Sequence, residues 1–328
     1  MRLARVELDR FRSRRLVRWA TVLAVGVGLL LGASSWWQAR PPSAAQVAQA
    51  QEIVTQQKED WAANGAQYVK DCQDDQAANP SNYPADYDCA TDMEPTLELA
   101  DFLPSRGTFA EEGVRTLKTD ASLLLGLVLL LGASFVCAES VSGALSTWLT
   151  FEPRRTRVYA TKTGAAAVGG AVVAAVGFAV ALGAQWVAFA LRDRAQATGH
   201  LWTQVAAEGG RVVLLAAAVA VIGTGLGFLL RHTTAVLGVV AAYLALVDAA
   251  VVRTALGQPR WTLAVSSDAW ITAHGTYTVE KCTPSGGGMS CEYIEHVVSM
   301  THGGLVLAGV VVVVVVLGWL VFRRRDVA

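Results

Sequence analysis

The chain has few charged residues for its length. Lys, Arg, Asp and Glu make up 16% of its 328 residues, whereas soluble domains carry about 25%. Hydrophobic residues account for 53% of the sequence. This balance excludes an ordinary soluble protein and favours a chain that exposes much of its surface to lipid.

The sequence also lacks the motifs of a self-sufficient enzyme. It contains no G-x-x-x-x-G-K-[ST] phosphate-binding loop. GTGLG at 223–227 lies inside an apolar run with no strand before it, and its outer glycines are spaced for close helix packing in lipid. The five histidines show no metal-ligand spacing, and no Ser/His/Asp grouping occurs. We therefore expect no catalytic site, metal or cofactor on this chain, and no nucleic-acid partner.

Six apolar runs are each long enough to form a membrane-spanning helix, which needs about 20 residues. They cover residues 17–37, 119–138, 164–191, 211–230, 233–252 and 303–322. Backbone groups in lipid have no partner but each other, so even the valines at 310–316 are expected to be helical. The first run also fits a cleavable signal peptide, but its long basic front and the absence of an A-x-A site favour a retained helix.

The distribution of basic residues predicts the orientation of these spans. With the N-terminus inside, the inner segments carry 15 of the 27 basic residues and five of the 27 acidic ones. Arginine clusters before the first span and after the last both favour the cytoplasm. We expect an all-α polytopic protein of the plasma membrane, with six transmembrane helices and both termini cytoplasmic. Residues 1–18 form an amphipathic interfacial helix or a simple basic anchor, and residues 323–328 form a cytoplasmic tail.

Two long segments fall outside in this topology. Residues 38–118 are predicted to form a mainly helical external domain, with a helix over 43–70. Residues 253–302 form an external loop with a small β-hairpin, because two alternating runs flank a Pro/Ser/Gly turn. The external loop at 192–210 is short.

Each long external segment contains two cysteines. Because disulfides persist in oxidising space, we predict the pairs Cys72–Cys89 and Cys282–Cys291. A zinc site that recruits His296 and His302 is the alternative for the second pair, although the spacing between its cysteines is unusual for zinc. The run DYDCATDME at 86–94 is either a solvated acidic loop or a cation site that departs from the EF-hand pattern.

Ionisable residues inside a membrane span mark candidate functional positions. Asp248, near the outer end of the fifth span, either pairs with Arg253 at the interface or faces a translocation path. Gln185 in the third span is a second, weaker candidate for that path.

The segment between the second and third spans is polar and basic, and reads AESVSGALSTWLTFEPRRTRVYATK over 138–162. A helix over 139–152 would end at Pro153, since proline cannot continue it. Its apolar residues, which fall on one face of that helix, are Val141, Leu145, Trp148 and Leu149. We predict that this cytoplasmic loop, residues 139–162, lies along the inner surface and shows one face to the cytosol.

This segment resembles the loop after the second span in permease subunits of type-2 ABC exporters. The residues that match the family pattern are Glu139, Gly143, Leu145, Leu149, Pro153, Arg157 and Lys162. A basic N-terminal helix, six spans and an external loop between the last two also match. The threonine that usually follows the glycine is Ala144 here, with Thr147 one turn later, and the large first external loop is atypical.

The resemblance implies that two permease subunits, identical or sister, pair with each other. Each would dock its 139–157 loop on a separate ATP-binding subunit that holds ATP and Mg²⁺, so that this chain is not itself an enzyme. The residues expected to couple to that subunit are Glu139, Gly143, Thr147, Trp148, Leu149, Pro153, Arg154, Arg155 and Arg157. In this scheme Glu139 caps or orients the docking helix, and Trp148 and Leu149 contact the partner. The arginines meet lipid phosphate or the partner's acidic rim, or are ordinary positive-inside residues.

Two further function classes remain open from the sequence. The chain could be a membrane-anchored sensor or interaction protein that acts through its disulfide-tied external domain. It could also be a lone membrane enzyme.

Overall fold

A computed structural model of the chain is mostly helical, and six helices among its described residues are long and apolar enough to cross a membrane. The structure describes residues 2–80, 83, 86–95, 97–104, 106–285 and 288–324. Contacts divide the chain into two compact units, one formed by Met1–Trp36 with Thr108–Ala328, and the other by Trp37–Gly107.

The secondary structure of the described residues follows the predicted order, with longer helices. The elements are α1 (Arg2–Ser13), α2 (Arg15–Gln38), α3 (Ala44–Ala78), α4 (Cys89–Asp92), α5 (Val114–Val141), α6 (Ala144–Phe151), α7 (Arg155–Ala190), α8 (Gly199–Leu230), α9 (Thr233–Ala242), α10 (Leu263–Thr272), β1 (His274–Ser285), β2 (Gly288–Ser299) and α11 (Met300–Arg324). A π-helical turn, Phe109–Gly113, precedes α5, and a π-helix, Tyr243–Ala255, continues α9. All six predicted apolar runs are therefore confirmed as helical, while α8 begins at Gly199 and shortens the predicted loop at 192–210.

Small residues allow the central helices of the bundle to approach closely. A Cβ built at Gly177 on α7 would lie 2.6 Å from Leu124 Cδ2 on α5 and 3.3 Å from Ala24 Cβ on α2. A Cβ at Gly32 on α2 would lie 2.7 Å from Ala184 Cβ on α7. Such contacts replace the hydrophobic effect as the source of packing energy for helices in lipid.

The predicted single helix over residues 1–18 is wrong in detail. The chain forms two helices that meet at Arg14, and α1 packs against α7 rather than exposing one apolar face. Glu7 and Phe11 are buried, whereas Val6 and Leu8 are exposed. Phe11 fits because Gly169 has no side chain, and any Cβ at that glycine would overlap the phenyl ring.

The far end of the bundle from α6 carries α10 and the hairpin. α10 begins at Leu263, with Thr262 as its N-cap, and Ile271 packs with Ala121 and Val212 of the bundle. The sequence predicted this segment only as part of the external loop over 253–302, and α10 is the helix that it forms. The antiparallel strands pair Cys282 directly with Cys291, and these two residues form the predicted disulfide.

The unit Trp37–Gly107 is built on α3, which continues eight residues past the predicted end of the helix and ends at Ala78. Ser43 and Gln46 form a reciprocal capping box at its start, which satisfies backbone N–H groups that have no helical acceptor. The predicted Cys72–Cys89 disulfide is present and joins α3 to α4.

Candidate functional site

The segment that follows α5 forms a separate short helix, α6, and not a continuation of α5. The break lies at Gly143, whose φ of 71° is left-handed and is tolerated by glycine without steric cost. Glu139 lies in the last turns of α5, and α6 has no side-chain cap at its start. The predicted capping role of Glu139 is therefore wrong, as is the common apolar face, because Val141 on α5 is 68% exposed.

α6 lies on an aromatic cluster to which four long helices contribute. Leu145 is buried there with Tyr159 of α7, Phe228 of α8 and Phe322 of α11, together with Val136 of α5 and Val158 of α7. The rings of Phe228 and Phe322 have centroids 4.6 Å apart, and those of Tyr159 and Phe228 are 4.8 Å apart. Trp148 and Leu149 pack partly against the same cluster. A displacement of α6 would therefore act on α5, α7, α8 and α11 together.

A buried ion-pair network joins α1 to α5 and α7, two of the helices that contribute to this cluster. The Nζ atom of Lys162 on α7 lies 2.9 Å from Glu7 Oε2 on α1 and 2.5 Å from Glu139 Oε2 on α5. Lys162 and Glu7 have no solvent exposure, and Glu139 is 8% exposed. Arg14 completes the network, since its guanidinium lies 2.7 Å from Glu139 Oε1 and also donates to the carbonyl oxygen of Ser134.

The buried part of the network is balanced in charge and lies against an aromatic ring. Two cations, Lys162 and Arg14, face two carboxylates, Glu7 and Glu139. The ring of Phe135 lies under both cations, 4.7 Å from the Arg14 guanidinium and 4.8 Å from Lys162 Nζ. Burying charges is costly unless each one is paired. The four groups therefore specify one position of α1 against α5 and α7.

α1 also contacts α6 directly. The guanidinium of Arg10 lies 4.1 Å from the centre of the Trp148 ring, and Arg10 also forms a 3.7 Å ion pair with Glu7. Glu7 is thus shared between the buried network and the contact to α6. Trp148, predicted to contact a partner, makes these contacts within its own chain.

The arginines after α6 divide into two groups. Arg155 donates to the carbonyl oxygens of Phe322 and Arg323 at the end of α11, which satisfies acceptors that a helix C-terminus leaves open. Arg157 forms a 3.3 Å ion pair with Glu152 and stays half exposed. The exposed residues of this segment include Thr147, Thr150, Phe151, Pro153, Arg154 and Arg157. We call this set the α6 face.

Asp248 and Gln185, the predicted translocation residues, lie apart from this site. Asp248 is buried and its Oδ1 accepts a 2.7 Å hydrogen bond from the backbone N–H of Leu263, at the start of α10. No ion pair joins Asp248 to Arg253 in the described part of the chain, so the predicted interfacial pair is absent. Gln185 is 1% exposed, and neither polar atom of its amide has a hydrogen-bond partner among the described residues.

The structure also shows functional candidates that sequence reasoning missed. Glu7 and Arg14 were counted only as charges of a basic N-terminal segment, and their burial depends on a long-range contact. Phe151 is 79% exposed, and the predicted apolar face of this segment did not include it. Asp120 is buried on α5 with both carboxylate oxygens unpartnered among described residues. The only signal in the sequence for Asp120 is that it is a charged residue at the edge of an apolar run.

The two hairpin cysteines form a disulfide with each other. Neither can therefore supply a thiolate ligand to the alternative zinc site. Its proposed histidine ligands have other contacts, since His296 stacks on Tyr277 and His302 lies against Trp261. In the acidic run at 86–94, Asp88 caps α4 and Asp92 accepts from the backbone N–H of Asp88.

Comparison of the chain with protein-family models, curated proteins and solved structures gave no match.

Proposed function

We propose that this chain is the transmembrane permease subunit of an ABC-type exporter, coupled through α6 to a separate ATP-binding subunit. The observation that carries the proposal is the placement of α6 on a cluster shared by α5, α7, α8 and α11. A helix so placed would transmit a push from outside the bundle to several spans at once, which is what a subunit without its own energy source requires.

The buried network supports this role for α6. Arg10 on α1 contacts Trp148 on α6, while Glu7, one turn earlier on α1, is tied to Lys162 on α7. α6 therefore lies between the aromatic cluster and a helix held in place by buried charges. On this proposal Glu139 and Lys162 are positioning residues, and Trp148 and Leu149 join α6 to the bundle.

The partner would contact the α6 face. Phe151 offers a large exposed apolar side chain, and Arg154 and Arg157 flank it with positive charge. Buried aromatic anchors with arginines beside them are typical of energetically important positions in protein interfaces. The partner chemistry that fits is a cleft with an apolar pocket and an acidic rim, on a subunit that binds ATP and Mg²⁺.

The proposal also fixes the orientation of the chain. The α6 face, α1 and the end of α11 would be cytoplasmic in the plasma membrane, because arginines concentrate there and the positive-inside rule favours that side. The hairpin and the unit Trp37–Gly107, each closed by a disulfide, would then lie in oxidising space outside. Two permease subunits would pair to enclose the translocation path, with Asp248 and Gln185 as residues near it.

The test measures co-purification of an ATP-hydrolysing subunit with the tagged chain. A photo-crosslinking amino acid at Thr147, on the α6 face, would report direct contact with that subunit. We expect Phe151→Asp to reduce the co-purified ATPase activity and the crosslink while the thermal stability of the chain stays unchanged, because Phe151 is exposed. Tyr293→Asp is the matched control, since Tyr293 is an exposed aromatic residue of β2 at the far end of the bundle.

Three results would contradict the proposal. One is a native chain that purifies with no ATPase; another is an equal loss of ATPase in both variants; the third is a crosslink that never reaches an ATP-binding protein.

The alternative is a membrane-anchored sensor or interaction protein. The observation that favours it is the unit Trp37–Gly107, which forms a compact body with its own capped helix and disulfide. On this alternative, partner capture would depend on that unit, and Phe151→Asp would leave it unchanged.

A further inference from the structure

One face of α2 combines two arginines, a tryptophan and an apolar strip, all open to the surroundings. Arg15, Arg18, Trp19 and Val22 line an open depression on the surface of α2. Their spacing of three, one and three residues places them on one side of the helix. Trp19 is 70% exposed, and no ion pair in the described part of the chain involves either arginine.

The same face continues along the helix as an apolar strip. Gly26, Leu29 and Leu30 follow Val22 at helical spacing, and Leu30 is 72% exposed. Gly26 has no side chain, and a Cβ there would meet no atom within 4 Å, so the strip has a gap between Val22 and Leu29. We call this gap the groove at Gly26. From Arg18 to Leu30 the helix rises about 18 Å, close to the roughly 15 Å depth of one hydrocarbon leaflet.

We propose that this α2 face is a binding site for an anionic phospholipid. The guanidinium groups of Arg15 and Arg18 bind the phosphate of the headgroup, since arginine donates two parallel hydrogen bonds to phosphate oxygens. Trp19 lies at the level of the headgroup, where its amphipathic ring is favoured. One acyl chain runs along Val22 and the groove at Gly26.

The charges of the face favour lipid over a second copy of the chain as occupant. In a symmetric contact between two copies, each pair of arginines would face the other pair or an apolar strip, and neither arrangement neutralises the positive charge. An anionic lipid neutralises both arginines and covers the apolar strip at the same time. This inference requires α2 to lie in a bilayer, but it does not depend on the proposed transport function.

The test measures lipid binding to the full chain in nanodiscs of phosphatidylcholine, by titration with phosphatidylglycerol and native mass spectrometry. Each arginine near an anionic lipid surface contributes to the free energy of lipid binding. The loss of two arginines should therefore weaken phosphatidylglycerol binding on the order of 30-fold. We expect that loss for Arg15→Gln with Arg18→Gln. The matched control is Arg12→Gln with Arg324→Gln, which removes the same charge from exposed positions outside this face.

Two further arms identify the source of the phosphate and the role of the groove. Gly26→Leu is expected to weaken phosphatidylglycerol binding although every charge is retained, because the added side chain fills the groove. Soluble glycerol phosphate is expected not to compete at concentrations that match the lipid.

Several outcomes would overturn the inference. Equal losses in the Arg15/Arg18 pair and the control pair would mean that only net charge matters. Full competition by glycerol phosphate would show a phosphate site and no lipid site. A dimer that dissociates on Gly26→Leu with no change in bound lipid would assign the face to a second copy.

Discussion

Replacing Lys162 by methionine should destabilise the bundle through its charges and not through its packing. Lys162 has no solvent exposure and contacts two carboxylates, Glu7 at 2.9 Å and Glu139 at 2.5 Å. At 2.9 Å and an effective dielectric constant of 20, one such pair attracts by roughly 6 kcal/mol before desolvation is subtracted. Breaking a buried pair by removing one partner costs about 3–5 kcal/mol, because the other charge is left uncompensated.

A second variant separates charge from packing. Lys162→Met with Glu7→Gln removes one buried positive and one buried negative charge, and leaves the 2.7 Å pair of Arg14 with Glu139 intact. Buried ion pairs are often replaced by neutral groups at little net cost. We therefore expect the double variant to regain most of the loss and to come within about 1 kcal/mol of the native chain.

The assay is unfolding of the purified chain in mixed detergent micelles, followed by tryptophan fluorescence at neutral pH. Glu7→Gln alone completes the double-mutant cycle, and the coupling energy is read from the four variants. Equal destabilisation of the single and double methionine variants would refute the reasoning, since the loss would then come from shape. A cost below about 1 kcal/mol for Lys162→Met would also refute it, because that is the range of exposed pairs.

Three other changes test separate parts of the structure. Gly132→Ala should destabilise the chain by about 1–3 kcal/mol, because a Cβ there would overlap a backbone carbonyl oxygen of α8. Gly126→Ala is the control: a Cβ at Gly126 would have no atom within 4 Å, so the free energy of unfolding should change little. Asp248→Ala should cost about 1–3 kcal/mol by leaving the first N–H of α10 unpaired, whereas Asp248→Asn keeps an acceptor and most of the stability. The hydrogen bond from Tyr83 lowers the pKa of Asp75 and raises the pKa of Tyr83 itself. The stabilisation from this bond is present above the unfolded pKa of Asp75 and is lost as pH falls through its lowered folded pKa; Tyr83→Phe should raise the pKa of Asp75 in an NMR titration, and an unchanged titration would contradict the assignment.

The spans could be predicted because their signal is local. A run of about 20 apolar residues leaves the backbone no choice but helix in lipid, and all six runs are helical in the structure. The helix ends were less predictable, because α7 and α8 begin in polar sequence. A helix can extend past its apolar run where it packs against neighbouring helices or is exposed to water. Hydropathy does not detect these polar turns, so it does not predict where the helix ends.

The α6 region shows where local reasoning fails. Helical periodicity placed Val141 and Leu145 on one face, but the left-handed backbone at Gly143 turns α6 away from α5. A glycine in a polar run has many permitted conformations, and only the packing of Leu145 into the bundle selects this one. Similarly, Trp148 reads as a docking residue in the sequence, yet the position of Arg10 on α1 decides that it is partly covered.

The sequence by itself determined the number of candidate spans, their helical state and the hairpin, and it favoured both disulfide pairs, because each follows from a local pattern or from a short separation along the chain. Only the tertiary structure decided that Glu7, Glu139, Lys162 and Arg14 meet. Lys162 is 155 residues from Glu7 and 23 from Glu139 along the chain, and the pattern that contains Glu139 and Lys162 does not predict their ion pair or the presence of Glu7 and Arg14 beside it. What brings the four charges together is the packing of α1, α5 and α7. Because a buried charge is tolerated only beside its partner, the four charges in turn specify that packing.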